Sequence, residues 1–142
     1  MTYRHFFSLV IVTLASLVPA ALCRSDDMLE RNISLPPGFS ISIYADNVPN
    51  ARSMALGPNN ILFVGSRKAG NVYAVMDNDH DFIADKVMVI ASGLNMPNGV
   101  AFRDGDLYVA EVHRIIKFAD IEKRLPDPGP PEVVFSDLPH EK

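Results

Sequence analysis

One stretch of this chain is written twice: VPNARSMALGPNNILFVG, beginning at Val48, is echoed by MPNGVAFRDGDLYVA, beginning at Met96. A repeat of that length dictates an array of like units, each of which buries its apolar faces only against its neighbours. Pro49 to Pro97 spans 48 residues, Ala55 to Ala101 spans 46, and Leu62 to Leu107 and Val64 to Val109 each span 45. A third echo, FSDLPH, places Pro139 a further 42 residues on, where the sequence stops.

Inside each unit the hydrophobic period is two, and turn residues punctuate it. The first unit reads as strands over residues 53–56, 61–64, 71–76 and 86–91, with a tight turn at Gly57-Pro58-Asn59-Asn60. The second reads as strands over 99–102, 107–110, 114–118 and 132–135, with a turn at Arg103-Asp104-Gly105-Asp106. Four short strands per unit of about 45 residues is the pattern of a β-propeller blade. Ahead of both, residues 40–45 alternate in the same way, and IYADNVP ends like VIASGLNMP and VVFSDLP. That segment is expected to be a fourth-type strand that closes the last blade of a ring. The fold expected is all-β, a β-propeller fragment of one closing strand and about two four-stranded blades, out of six. Blade 1 covers about residues 50–95, blade 2 about 97–138, and residues 139–142 open a third. A complete small β-protein is the competing reading.

Residues 1–23 have a basic start at Arg4 and His5, an apolar run from Phe6 to Val18, and small residues around Pro19-Ala20-Ala21. This is the layout of a secretory signal helix, followed by a polar connector over 24–34. The chain is therefore expected in the periplasm or secreted. Contact with a membrane is expected only through that segment if it stays uncleaved; a lipidated Cys23 is a further alternative. The single cysteine permits no internal disulfide. A net charge of −4 without clustered Lys and Arg argues against a nucleic-acid partner.

Strand alternation puts the links that lead into each blade, and those between second and third strands, on one face. Asn50, Arg52, Arg67, Lys68, Asn98, Glu111, His113 and His140 gather there. A planar guanidinium grips an anion through two hydrogen bonds, so this set suits carboxylates or sugar hydroxyls. For each residue alone the bland alternative is a turn or a solvated loop. On the opposite face, the loop DNDHDFIAD offers Asp77, Asp79, Asp81 and Asp85 at relative positions 1, 3, 5 and 9. Such spacing can wrap oxygens around a structural calcium ion, although Phe82 stands where glycine is usual and Met88 where glutamate is usual.

The segments LPPGFSISIYADNVPNARSMALG, GNVYAV and IASGLNMPNGVAF…LYVAEVHRI…FADIE resemble the sorbosone dehydrogenase family, within the wider group of soluble quinoprotein glucose dehydrogenases. The likeness spans about residues 35–142. It implies a six-bladed propeller that oxidises a sugar or aldehyde substrate by hydride transfer to pyrroloquinoline quinone (PQQ) and passes electrons to a downstream acceptor. It also implies a calcium ion that polarises the cofactor, and arginine and lysine that neutralise the cofactor's carboxylates. The family's histidine base follows the third opening proline. That position matches His140, or else the base lies a few residues beyond Lys142. On this resemblance the chain is the N-terminal part of such a dehydrogenase and inactive by itself. The alternatives are a non-catalytic secreted propeller that binds a partner or carbohydrate, and a propeller hydrolase of the lactonase type.

Overall fold

The computed structural model describes residues 32–139. The signal segment 1–23, most of the connector and His140 lie outside the described residues. The chain divides into two units, one ending at Phe39 and the other starting at Ser40. In the described part of the first unit, a turn over residues 36–39 is closed by the Phe39 amide donating to the Pro36 carbonyl at 3.2 Å. Gly38 carries the left-handed φ of 89° that this turn requires.

The second unit is all-β and consists of two antiparallel four-stranded sheets. The first contains β1 (Ala51–Leu56), β2 (Leu62–Ser66), β3 (Val72–Met76) and β4 (Lys86–Ala91), in that spatial order. The second contains β5 (Gly99–Arg103), β6 (Asp106–Ala110), β7 (Arg114–Phe118) and β8 (Glu132–Ser136), again in order. Each sheet is a plain meander, as tight turns between successive short strands dictate. All eight strands of the two repeats fall within two residues of their sequence-based limits.

The duplication extends to details of the backbone. In the first sheet Val72 pairs with Ala91 and Tyr73 with Val89, which leaves Ile90 as an extra residue in β4. In the second, Ile115 pairs with Phe135 and Ile116 with Val133, which leaves Val134 as the extra residue in β8. Just past each bulge the chain turns through a left-handed residue, Gly93 at φ 70° and Asp137 at φ 68°. The next amide then bonds back, Leu94 to the Gly70 carbonyl at 3.0 Å and Leu138 to the His113 carbonyl at 3.1 Å. The repeat period shortens from 48 to 46 residues between the opening prolines and the following alanines. Part of that difference is taken up by a register shift in β1 between Ala51 and Met54, which β5 lacks.

The core lies between the sheets. Phe63, Val72, Ala74 and Ile90 of the first meet Leu107, Val109, Ile116 and Phe118 of the second, joined by Ile121. The Phe63 and Phe102 rings stack across the junction at 5.9 Å. The two buried faces are not equivalent. The repeat equates Leu107 and Val109 with Leu62 and Val64, and these lie on the other face of the first sheet, in a cluster with Tyr73 and Val75. The sheets are thus related by a head-to-tail step. Two like faces do not meet, as they would about a two-fold axis.

Two contacts hold this step in place. The Ser53 hydroxyl, at the inner edge of the first sheet, donates to the Asn98 carbonyl at 2.5 Å and accepts from the Val100 amide at 2.9 Å. At the other end, Ile121–Arg124 forms a 3₁₀ turn that the sequence pattern did not announce. From it Glu122 accepts from the Asn59 side-chain amide at 2.9 Å, across to the turn between β1 and β2. On the outer surface of the second sheet, Lys117 pairs with Glu132 at 3.0 Å and Asp106 at 3.6 Å. The hydrogen bond to Glu132, more than any other neighbour, raises the Lys117 pKa above its ordinary value.

Residues 40–45, expected to close the last blade of a ring, join neither of the two sheets. A strand needs a ladder. Neither sheet offers one there, and the pairing order of the first sheet is complete without the segment. Its Tyr44 carbonyl accepts from the Ala84 amide at 2.7 Å, while Tyr44, Ala45 and Val48 pack over Val64, Tyr73 and Val75. Of the alternating apolar residues only Ala45 joins this cover, beside Tyr44, which is out of phase with it, and Phe39 stays 72% exposed. The coverage is partial, for Met54 and Leu56 of β1 remain 62% exposed.

Candidate functional site

The links between second and third strands leave the sheets beside the segments that lead into first strands, as alternation requires. One hydrogen bond ties each pair. The Arg67 amide donates to the Asn50 carbonyl, and 45 residues later the Val112 amide donates to the Asn95 carbonyl, both at 3.2 Å. Beside each bond lies a hollow. The first, of about 220 Å³, is lined by Asn50, Ala51, Arg52, Arg67 and Lys68. The second, of about 320 Å³, is lined by Met96, Asn98, Gly99, Ala110, Glu111 and Val112. Asn50, Arg52, Arg67 and Lys68 are thus brought together, with exposed side chains. Asn98 and Glu111 share the neighbouring hollow, and His113 stands beside it with Nδ1 3.5 Å from the Asn95 side-chain nitrogen.

These hollows are positioned by two buried polar residues. Ser66 ends β2 and Glu111, 45 residues on, follows directly after β6; they are 0% and 4% exposed. Ser66 Oγ donates to the Asn71 carbonyl at 2.7 Å and accepts from the Asn71 amide at 2.9 Å. This bridge closes the base of the loop that presents Arg67 and Lys68. The Asn71 side chain continues it, donating at 3.2 Å to the Tyr73 hydroxyl, which donates at 3.4 Å to the Pro49 carbonyl. Glu111 accepts from the Asn95 amide at 2.6 Å and pairs through its other oxygen with Arg114 Nε. A buried carboxylate held this way positions the backbone around it. Glu111 lines the second hollow while both its oxygens are engaged within the fold.

Sequence reasoning passed over Ser53, Ser66, Asn71, Asn95 and Arg114, which carry this framework. One signal was available: Glu111 and Arg114 are opposite charges three residues apart across a strand-to-strand turn. The serines offer no comparable pattern, since a hydroxyl declares its partner only once the sheets are stacked.

On the opposite side, the acidic loop folds around its own carboxylates. Asp77 accepts from the His80 amide at 2.8 Å and the Phe82 amide at 3.0 Å, and Asp85 accepts from the Asn78 amide at 2.7 Å. Asp81 accepts from the Ile83 amide at 2.8 Å. Asp77, Asp79 and Asp85 bring one carboxylate oxygen each within 4.8 Å of one another; Asp81 is outside that group. Phe82 adopts the left-handed conformation, φ 67°, that the loop asks of a glycine at this point, with its side chain largely in solvent. Met88 lies in β4 paired with Ala74 and brings no oxygen ligand. Tyr44 nearby has its pKa raised, first by partial burial and then by the negative charges of Asp77 and Asp85.

No helix among the described residues is long and apolar enough to cross a membrane. No known family, curated protein or solved structure matches the chain.

Proposed function

We propose that the chain is the N-terminal part of a six-bladed β-propeller dehydrogenase that oxidises sugars or aldehydes with PQQ, exported to the periplasm or secreted, and inactive without the repeats that complete the ring. The observation that carries this reading is the head-to-tail step between the sheets. A stack that buries unlike faces can continue repeat by repeat and forms a ring when its rotation closes, which supports reading the four-stranded meanders as propeller blades. The two hollows then lie side by side at one mouth of the ring, where ligands of such folds collect.

The first hollow fits an anionic cofactor by charge. Arg52, Arg67 and Lys68 would hold carboxylates of PQQ, with the Asn50 amide beside them. When bound, the quinone supplies a two-electron acceptor for hydride from the substrate. Asn98 and His113 offer polar contacts in the adjoining hollow, and His140 or a histidine beyond Lys142 serves as base to the substrate hydroxyl. Titration of the chain with PQQ, followed by fluorescence, is expected to show binding that weakens at least about tenfold when Arg52 and Arg67 are both changed to alanine. Binding that ignores both changes would sink the cofactor assignment. Dye reduction by the polypeptide extended through all its repeats, with PQQ and an aldose or aldehyde, tests the activity itself.

Calcium in this reading is a structural ion of the acidic loop, held by Asp77, Asp79 and Asp85. Saturating calcium is expected to raise the Tm, by up to about 2.7 kcal/mol of added stability at a hundredfold excess over Kd. The Asp77→Asn, Asp79→Asn pair is expected to erase that rise. A Tm indifferent to calcium removes the ion from the proposal.

A non-catalytic propeller that binds carbohydrate or another partner is favoured by one observation. Glu111, the acid nearest the second hollow, is already neutralised within the fold, which leaves amides and an imidazole to meet a ligand. Carbohydrate binding without quinone-dependent turnover by the completed polypeptide would select this second reading.

A further inference from the structure

Asn32, Ile33 and Ser34 form the acceptor pattern Asn-X-Ser/Thr with no proline between, and no other asparagine of the sequence stands in that pattern. The pattern carries weight only where the chain is accessible. Asn32, Ile33, Ser34 and Leu35 are all exposed, and residues 33–36 belong to neither sheet and have no regular structure. The turn closed by Phe39 and Pro36 follows at once, so the exposed Asn32, itself helical, stands directly ahead of an irregular stretch and a fixed bend. We propose that Asn32 is a glycosylation site, taking an N-linked oligosaccharide from a polyprenyl-diphosphate donor. The Asn32 side-chain nitrogen bonds to the anomeric carbon of the first sugar while the bond from that carbon to the diphosphate oxygen breaks. Polyprenyl diphosphate leaves with the electron pair, and the amide proton passes to a base of the transferase. The Ser34 hydroxyl orients the acceptor amide. In the cell the site rests on the export reading above, because such donors are used on the far side of the membrane that the signal segment addresses.

The test uses the full chain, incubated with purified oligosaccharyltransferase and lipid-linked oligosaccharide and read by intact mass. One glycan is expected on the unaltered chain and on Ser34→Thr, and complete loss of the added mass is expected for Asn32→Gln and for Ser34→Ala. An unaltered chain that gains no glycan, beside a control acceptor that does, overturns the site. So does a glycan that persists in Asn32→Gln. Two transferase types distinguish the source, since one also requires an acidic residue two positions before the asparagine. Glu30→Gln is expected to abolish transfer by that type and leave transfer by the other unchanged. Fractionation of cells making the chain addresses export separately: a chain glycosylated in vitro yet retained inside the cell refutes export and leaves the site standing.

Discussion

Replacing Gly65 by valine is expected to cost about 3 kcal/mol or more and to lower the Tm by more than about 10 °C. Gly65 lies at the end of β2 on the face turned toward the second sheet. A Cβ there would stand 2.5 Å from the Pro97 carbonyl oxygen, 3.1 Å from a Val100 methyl and 3.3 Å from the Asn98 carbonyl oxygen. The nearest obstacle is backbone, which cannot swing aside as a side chain does. Relief requires the chain leading into β5 to back away, and that movement breaks both bonds of Ser53. Its repeat partner, Ala110, carries a Cβ without penalty, because it faces away from the first sheet. Gly93→Ala is the control. Its Cβ would meet nothing within 4 Å, and the only cost is a left-handed φ of 70°, about 1 kcal/mol. Thermal melts that show equal losses for the two variants would overturn the account of how the sheets approach each other.

Truncating Glu111 to alanine is expected to destabilise by about 2–4 kcal/mol, although the residue is not part of the apolar core. The change leaves the Asn95 amide without its acceptor and the Arg114 guanidinium without its counter-charge. It also opens a void beneath the second hollow. Arg114→Met is expected to be milder, since Arg114 is one-third exposed and water can take its place around the remaining carboxylate. A double-mutant cycle separates the pair from its surroundings, with a coupling of about 1–3 kcal/mol expected. Additive single losses would show that Glu111 acts through the Asn95 amide alone.

The strands were legible because each repeat alternates apolar and polar residues between turn signals, and because seeing the pattern twice fixed its register. Residues 40–45 show the limit of that reasoning. Period two says that one side of a segment is apolar, yet the adjacent Tyr44 and Ala45, of opposite phase, both pack on the first sheet. Periodicity cannot say whether the backbone finds a ladder, and here it does not. The 3₁₀ turn at Ile121–Arg124 escaped notice because four residues give too short a window for a helical period. At the candidate site, the exposed Arg52, Arg67 and Lys68 could be gathered from topology alone. The engagement of Glu111 could not, since its partners come from a link sixteen residues earlier and from the start of the next strand.

The head-to-tail step gives each repeated position two unlike environments. Val64 answers to Tyr44, Ala45 and Val48, whereas Val109 answers to the inner face of the first sheet. An identical substitution in the two copies is therefore read by different neighbours, and neither copy is a spare for the other. Copying one repeat over its twin by recombination would preserve every strand and still mismatch the seam. For a gene that grows by duplication, the strands come ready-made, and what selection must shape afterwards is the difference between the copies.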